Sequence, residues 1–234
     1  GCIWVKAITI PLRWILAFPE GRRGTITRTI HIDEFLRQGF SVCLTLDASP
    51  WGLGGFLIED GVIVSFFRDA LTQEDFSRFK FTPGDCRAQQ LCESLAVLVA
   101  LRVWSERWVS KRIVLAVRSD SVAALTILVN FKAGGEHPGL IAREVALDVA
   151  EGVYTPQVVE HVPGDTNKIA DILSRWISTT TPSLPQVLHG VPEVPLPLRD
   201  DSYYRTLIFA LKQVASHVGP CFGCVVIAAN MCTA

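Results

Sequence analysis

Four acidic side chains stand where predicted strands end or predicted helices begin. Asp47 ends the apolar strand SVCLTLDA, and Asp120 follows the strand IVLAVRS. Glu93 and Asp171 lie in the first turns of predicted helices, in the strings LCESLAV and TNKIADILSR. Strand ends and helix starts of an α/β sheet meet in a crevice at the edge of the sheet, where ligands bind. The sequence therefore predicts that these four carboxylates converge.

Carboxylates that share a site repel one another unless a cation lies among them. Asp47 on a central strand and Glu93 in an apolar helix would also lose hydration, which an unpaired carboxylate does not tolerate well. A set of oxygen ligands suits Mg²⁺ or Mn²⁺ far better than Zn²⁺. The four acids therefore predict a divalent-metal site, although Asp120 and Asp171, taken singly, also fit ordinary first-turn acids.

Three glycines, Gly52, Gly54 and Gly55, follow Asp47 closely in DASPWGLGGFL. A residue without a side chain allows a tight turn and the close approach of another backbone. We expect these glycines to admit the backbone of a ligand beside Asp47.

The hydrophobic pattern predicts an α/β fold. Alternating segments predict strands over 41–48, 54–59 and 62–67, and the Asp60-Gly61 turn pairs the last two as an antiparallel hairpin. Helical spacing follows over 86–108, with Asp85 as a candidate N-cap, then from Ser119 to Phe131, over 138–150 and over 166–176. Between the helices, strands are predicted over 113–117 and 157–162. Because these strands arrive through helices, we expect parallel additions and a mixed five-stranded sheet with helices packed on it.

Composition limits the classes of function. The chain has 234 residues, 49% of them hydrophobic, and a formal net charge of -1, so it is a core-forming sequence without a wholly basic surface. Contact with nucleic acid would depend on local patches, and one candidate patch is Arg102, Arg107, Lys111, Arg112 and Arg118. A solvated helix end explains the same residues equally well. The seven cysteines lie mostly in apolar runs, which favours reduced thiols and an intracellular protein.

Four strings carry a family resemblance: DASPWGLGGFL, ESLAVLVALRVW, SDSVAALTIL and HVPGDTNKIADILSRW. In this order they resemble the ribonuclease H domain of retroelement reverse transcriptases, nearest to gypsy-like LTR and related retrotransposons. The resemblance covers residues 41–177 and implies a ribonuclease H-like fold. Residues 1–40 would be the end of the upstream reverse transcriptase connecting region, in agreement with a chain that starts without Met. Residues 178–234 read as a proline-rich linker and a tail of unknown role.

The resemblance also implies an activity, which is hydrolysis of the RNA strand of an RNA/DNA hybrid during reverse transcription. The family's four metal ligands map onto Asp47, Glu93, Asp120 and Asp171, which would be the catalytic residues. Two ions, Mg²⁺ or else Mn²⁺, would activate a water and stabilise the leaving 3′-oxygen. The implied partners are the hybrid and the reverse transcriptase domain of the same polyprotein. No membrane partner is expected, because Gly219-Pro220 and Gly223 interrupt the uncharged stretch near the end of the chain.

One position departs from the family pattern. Many cellular members carry a histidine in the last loop, whereas Asp165 stands there in the string VPGD and the loop to Asn167 is shorter. His161 is nearby in sequence, but its place on a strand favours a structural role.

Two other interpretations stay open. The chain could be an inactive or degenerate ribonuclease H-like module that binds nucleic acid or braces a polymerase. An integrase or transposase of the same general fold is a third interpretation, against which the Asp in the last helix argues.

Overall fold

A computed structural model describes residues 40–108, 113–150, 154, 156–177 and 183–204, together with residues 12, 15 and 16. Five strands form one sheet: β1 (Phe40–Ala48), β2 (Gly52–Glu59), β3 (Val62–Ala70), β4 (Ile113–Ser119) and β5 (Pro156–His161). Five helices accompany them: α1 (Gln73–Phe79), α2 (Gln89–Val103), α3 (Val122–Asn130), α4 (Glu136–Ala150) and α5 (Lys168–Ser174). Short 3-10 turns at Cys86–Ala88 and Ser105–Arg107 flank α2.

The sheet has the order β3-β2-β1-β4-β5, with β1 at its centre. Strands β1, β2 and β3 pair antiparallel, and β4 and β5 add in parallel. Asp60 and Gly61 form the predicted hairpin turn, and both have positive φ angles, as such a turn requires. The predicted architecture, a mixed five-stranded sheet with helices packed on it, is confirmed.

Helix α2 is the central helix of one face of the sheet. Residues 91 to 101 are all buried, because α2 contacts β1 and β2 on one side and α3 and α4 on the other. This explains why its sequence is apolar nearly all round. The prediction that this helix packs on more than one side is confirmed.

Helix α5 covers the opposite face. Phe56 and Phe66, which are paired across β2 and β3, pack with Ala170 and Leu173 of α5. Phe67, the next residue along β3, points the other way and contacts Trp104 after α2, with ring centroids 5.3 Å apart. Successive strand residues face opposite sides, so α2 and α5 sandwich the sheet between them.

One helix was not expected from the sequence. The stretch that reads as a polar connection, residues 68–85, contains α1, which begins with a capping box. The Thr72 hydroxyl accepts from the Asp75 amide while the Asp75 carboxylate accepts from the Thr72 amide. The T-x-x-D spacing is a known start signal, but the seven-residue helix is too short to show a clear apolar period.

The first compact unit of the chain ends at Leu198, and a second begins at Arg199. Residues 183–194, which fall in the predicted linker of 178–234, pack on β3 within the first unit. In the described part of the second unit, the Asp200 carboxylate accepts from the backbone and hydroxyl of Ser202. The predicted boundaries at residues 40 and 177 stay predictions, and residues 1–11 and 17–39 lie outside the described part.

Candidate active site

The site lies where β1 and β4 end. These neighbouring strands are parallel and pair Thr45 with Arg118. Asp47 lies two residues further along β1, and Asp120 lies two residues further along the chain, directly after β4, so both reach the same level at one edge of the sheet. Helix α2 brings Glu93 to this point from the adjacent layer. Each of the three side chains offers a carboxylate oxygen, and those oxygens all lie within 4.8 Å of one another. The sequence-based prediction that these acids converge therefore agrees with the geometry for Asp47, Glu93 and Asp120.

Asp47 is almost fully buried, with 4% of its surface exposed. The pKa of its carboxyl is raised to about 7, mainly by burial; the charges of Asp120 and Asp171 contribute to the rise, and a hydrogen bond from Ser174 opposes it. The Ser174 hydroxyl donates to Asp47 Oδ2 at 2.5 Å. A carboxyl in this environment resists ionisation until a cation approaches.

Glu93 is 7% exposed and stands one helical turn after Gln89. The Gln89 amide nitrogen donates to Glu93 Oε1 at 2.6 Å and to the carbonyl of Ala48 at 2.6 Å, so it fixes the side chain against the end of β1. Burial and the charge of Asp47 raise the pKa of Glu93 to about 8.

Two carboxylate oxygens in the cluster, Glu93 Oε2 and Asp120 Oδ1, are buried without a hydrogen-bond partner in the part of the chain that the structure describes. Buried carboxylate oxygens are normally satisfied, so these two call for a ligand. Hard oxygen donors held close together suit Mg²⁺ or Mn²⁺. The residues present therefore fit a divalent cation.

Asp171 stands apart from the other three acids. It lies on α5, and its Oδ1 accepts from Arg175 Nε at 2.5 Å in a half-exposed pair one turn along the helix. It is still close enough to raise the pKa of Asp47. The structure thus brings three of the four predicted ligands together and leaves the fourth at the margin of the site, tied to an arginine.

The glycines after Asp47 serve a different purpose from the one expected. A Cβ on Gly54 would lie 2.4 Å from the Ser174 backbone nitrogen, and one on Gly52 would lie 2.8 Å from the Ser174 carbonyl oxygen. The close backbone belongs to α5 of the same chain, so the prediction of a ligand backbone at these positions was wrong. The absence of side chains lets α5 sit directly on β2, which brings Ser174 to Asp47.

The loop before α5 closes the other side of the site. Gly164 lies against Asp120, because a Cβ there would be 3.2 Å from Asp120 Oδ2. The amide of Asn167 donates to the Leu46 carbonyl at 2.9 Å and ties the start of α5 to β1. Asp165 is exposed in the intervening turn.

His161 ends β5 and pairs with Ser119 of β4. Its Nε2 lies 3.1 Å from the backbone carbonyl of Asp120. This contact places the ring beside the backbone that carries Asp120, in agreement with the structural role that the sequence favours.

The predicted basic patch does not form a free cationic surface in its described part. Arg102 pairs with Glu144 and Asp148, Arg107 with Glu59, and Arg118 with Glu160. Residues 111 and 112 lie outside the described residues.

Sequence reasoning missed two residues that orient the acids, Gln89 and Ser174. Gln89 precedes Glu93 by four residues, the spacing at which helical side chains meet. Ser174 follows Asp171 by three residues in ADILSR, which faces it toward the same side of α5. Both spacings are visible within one helix, but neither predicts the contact with another element, Ala48 for Gln89 and Asp47 for Ser174.

No protein-family model and no curated protein matches the chain. Two similar solved structures are RNase H1 from the halophilic archaeon Halobacterium salinarum NRC-1 and LC11-RNase H1, isolated from compost by a metagenomic approach. The first is 17% identical and covers 58% of this chain and 95% of its own, with a TM-score of 0.41. The second is 18% identical and covers 58% of this chain and 91% of its own, with a TM-score of 0.41. The fold class is assigned from the strand order of the chain itself and not from these two structures.

Within the described residues, no helix is long and apolar enough to cross a membrane.

Proposed function

We propose that this chain is a metal-dependent endonuclease that hydrolyses the RNA strand of RNA/DNA hybrids. The observation that carries the proposal is the buried cluster of Asp47, Glu93 and Asp120, with carboxylate oxygens within 4.8 Å of one another. Two carboxylate oxygens of these residues, Glu93 Oε2 and Asp120 Oδ1, lack a hydrogen-bond partner among the described residues. These three acids come from the first three of the four motifs that resemble retroelement ribonuclease H domains, and the fourth motif supplies Asp171.

The roles of the residues follow from their surroundings. Asp47, Glu93 and Asp120 would hold the metal, and Asp171 would complete the ligand set. Bound Mg²⁺ would supply an activated water and charge stabilisation for phosphodiester hydrolysis. Gln89 holds Glu93 Oε1 toward β1, and Ser174 holds Asp47 Oδ2 toward α5. The remaining oxygens of the cluster are thereby left to face a cation.

Asp171 must exchange partners for this assignment. In the structure its Oδ1 accepts from Arg175, and both side chains are about half exposed. An exposed pair of this kind contributes little, about 0.2–1 kcal/mol, so a divalent cation could displace the guanidinium. Arg175 would then be free to meet a substrate phosphate.

The proposed substrate is a hybrid duplex because the family reads groove shape, phosphates and 2′-hydroxyls rather than base sequence. That mode of recognition needs only local positive charge, in agreement with a net charge of -1. The wider setting, an intracellular retrotransposon polyprotein with an attached reverse transcriptase domain, is proposed from the four motifs alone.

A second candidate function has two observations in its favour. The Asp171–Arg175 pair and Asp165 in the last loop fit an inactive ribonuclease H-like module that binds nucleic acid or braces a polymerase. In that case the three clustered acids would persist without turnover.

The deciding experiment incubates the full chain with a labelled RNA/DNA hybrid in Mg²⁺ or EDTA. We expect cleavage of the RNA strand in Mg²⁺ only, and a loss of roughly 10³-fold or more in Asp47→Asn and Glu93→Gln. Glu59→Gln is the matched control, since Glu59 forms an exposed pair with Arg107 at the far end of β2 and should leave the rate unchanged.

The outcomes separate the classes of function. Hybrid binding without cleavage would favour the inactive module, and strand joining on duplex DNA would favour the integrase class. Cleavage that persists in EDTA, or in both site variants, contradicts the metal assignment.

A further inference from the structure

Residues 183–194, here termed the strap, run along the outer edge of the sheet. The strap contains a 3-10 turn at Gln186–Leu188, and Leu188 is 1% exposed. Leu188 packs in one apolar cluster with Phe56 and Phe66 of the sheet and with Ala170 and Leu173 of α5. The strap therefore contacts both the edge strand and the helix that carries Asp171 and Ser174.

Backbone hydrogen bonds fasten the strap to β3. The Phe66 amide donates to the Pro192 carbonyl at 3.1 Å, and the Val194 amide donates to the Phe66 carbonyl at 2.8 Å. Together they form a parallel bridge between Phe66 and Glu193. This bridge fixes the register of Glu193 against β3.

Arg68 connects the strap to the end of α5. Its Nε and Nη2 donate to the two carboxylate oxygens of Glu193 at 3.0 and 3.1 Å. Such a bidentate ion pair is stronger than one with a single hydrogen bond. The same guanidinium lies over the ring of Trp176, 3.4 Å from its centroid. Trp176 follows α5 by two residues, so one side chain holds the strap and the helix end together.

The path from Arg68 to the acidic cluster is short. Arg68 pairs with Gly54 across β3 and β2, and Gly54 is where the backbone of Leu173 and Ser174 meets the sheet. Ser174 donates to Asp47, and Ser49 donates to the Ser174 carbonyl at 2.7 Å. A shift of α5 at its C-terminal end would therefore move the hydrogen bond at Asp47 and the position of Asp171.

We propose that Arg68 and Glu193 are positioning residues of the site: the strap closes on β3 and holds α5 down, which sets Ser174 and Asp171 relative to Asp47. The significance of this device for catalysis rests on the proposed function. Its effect on α5 and on metal binding does not depend on nuclease activity. Neither residue touches the acidic cluster, so both act through α5.

The test uses three variants of the full chain: Arg68→Met, Arg68→Lys and Glu193→Gln. Arg68→Met removes the positive charge, and Arg68→Lys keeps the charge but cannot donate the two parallel hydrogen bonds of a guanidinium. Glu193→Gln removes the negative charge and keeps the size of the side chain. Glu59→Gln is the control, because it breaks an exposed Arg–Glu pair on the same sheet away from α5. If Arg68→Met does not fold, Glu193→Gln carries the test.

Two measurements report on positioning without turnover. The first is amide hydrogen exchange over residues 168–176, and the second is the Mg²⁺ concentration that gives half of the metal-dependent rise in melting temperature. We expect Arg68→Met and Glu193→Gln to speed exchange in this segment and to raise the Mg²⁺ midpoint by roughly 10-fold, with Arg68→Lys between them and the native chain. The double variant Arg68→Met/Glu193→Gln should raise the Mg²⁺ midpoint no more than Arg68→Met alone does, because each single change removes the same Arg68–Glu193 interaction.

A contrary result is equally specific. If the variants lower the melting temperature but leave both the Mg²⁺ midpoint and the exchange over 168–176 at native values, the strap is a structural edge contact and the inference is overturned. If the native chain cuts no hybrid but these two measurements respond as expected, the proposed function fails while the positioning role stands.

Discussion

Helix α2 borders two clusters of buried acids that satisfy their charge in different ways. On the side facing α4, Glu144 and Asp148 are at most 1% exposed, and Arg102 of α2 reaches both, at 2.6 and 2.7 Å. The Tyr154 hydroxyl adds a hydrogen bond to Asp148 at 2.9 Å. At the N-terminal part of the same helix, Glu93 meets Asp47 and Asp120, and oxygens of Glu93 and Asp120 have no partner among the described residues.

The difference fits a structural role for the α2–α4 cluster and the proposed ligand-binding role for the cluster at β1 and β4. A buried carboxylate that has no cationic partner destabilises the folded chain, because it has lost its hydration. The α2–α4 cluster contains its own cation, so it is complete when the chain folds. The cluster at β1 and β4 contains hydrogen-bond donors that orient the acids but no cation among its three members, which fits the external ion that we propose.

The largest expected effect comes from removing the guanidinium of Arg102, which is the cation of the α2–α4 cluster. Arg102→Met should lower the free energy of unfolding by about 3–5 kcal/mol, since it leaves Glu144 and Asp148 buried without their guanidinium. Chemical denaturation with and without Mg²⁺ measures this loss, which should be the same in both conditions. Arg102→Lys should recover part of it. A loss that Mg²⁺ reverses would mean that the two clusters are not distinct.

The second largest effect should be a pH dependence of the free energy of unfolding that arises from the cluster of Asp47 and Glu93. Asp47 and Glu93 have folded-state pKa values raised to about 7 and about 8. Between pH 4 and pH 8 the folded chain therefore retains protons that the unfolded chain releases, so metal-free stability should fall as pH rises through this window, by about 2 kcal/mol. Thermal melts at pH 5 and pH 8 in EDTA measure the fall, and saturating Mg²⁺ should reduce it. The double variant Asp47→Asn/Glu93→Gln is the reference, because it lacks both titrating groups. A native chain that loses no more stability over this window than the reference would contradict these shifts.

Neutralising one acid of the external cluster should stabilise the metal-free chain. Asp47→Asn removes a buried charge beside Asp120, and we expect a gain of about 1–2 kcal/mol at pH 8, or roughly 3–6 °C in melting temperature. The same variant should lose the stabilisation by Mg²⁺. Asp148→Asn is the contrast, because it weakens the pair with Arg102 and should destabilise the chain. Equal losses in both variants would erase the distinction.

The smallest effect should come from the hydrogen bond that orients Asp47. Ser174→Ala removes the donor to Asp47 Oδ2, and residues that orient metal ligands typically contribute about 10-fold or more in metal affinity. A Mg²⁺ titration of the melting temperature measures the shift. Thr126→Ala is a suitable control, since its exposed hydroxyl donates only to the Val122 carbonyl one turn back in its own helix. An unchanged Mg²⁺ midpoint in Ser174→Ala would remove this serine from the site.

Local sequence patterns predicted much of the fold. The five strands, the hairpin at Asp60-Gly61 and the packing of α2 on two sides follow from apolar periodicity and turn chemistry, which are properties of short segments. Asp47 and Asp120 could be placed together because parallel neighbours end at the same edge of a sheet. Glu93 followed from the cost of placing a carboxylate in an apolar helix.

What the sequence did not predict depends on contacts between distant segments. The two glycines that admit α5, the serine that reaches Asp47 and the pairing of Asp171 with Arg175 become visible only when α5 lies on β2. The strap has no apolar period, and its place is set by one backbone bridge, one arginine and the burial of Leu188. Prolines in that stretch suggested a linker, yet a parallel bridge at a sheet edge needs few backbone donors from the added segment.

The bridge at Phe66 also bears on how the chain behaves in concentrated solution. An uncovered outer strand offers its free backbone groups to any other extended chain, which is a common route to fibres and precipitates. Here Pro192 and Val194 occupy the outward amide and carbonyl of Phe66, and the neighbouring prolines cannot extend a ladder. Residues downstream of the four motifs therefore cover part of this edge strand, which limits its pairing with another chain.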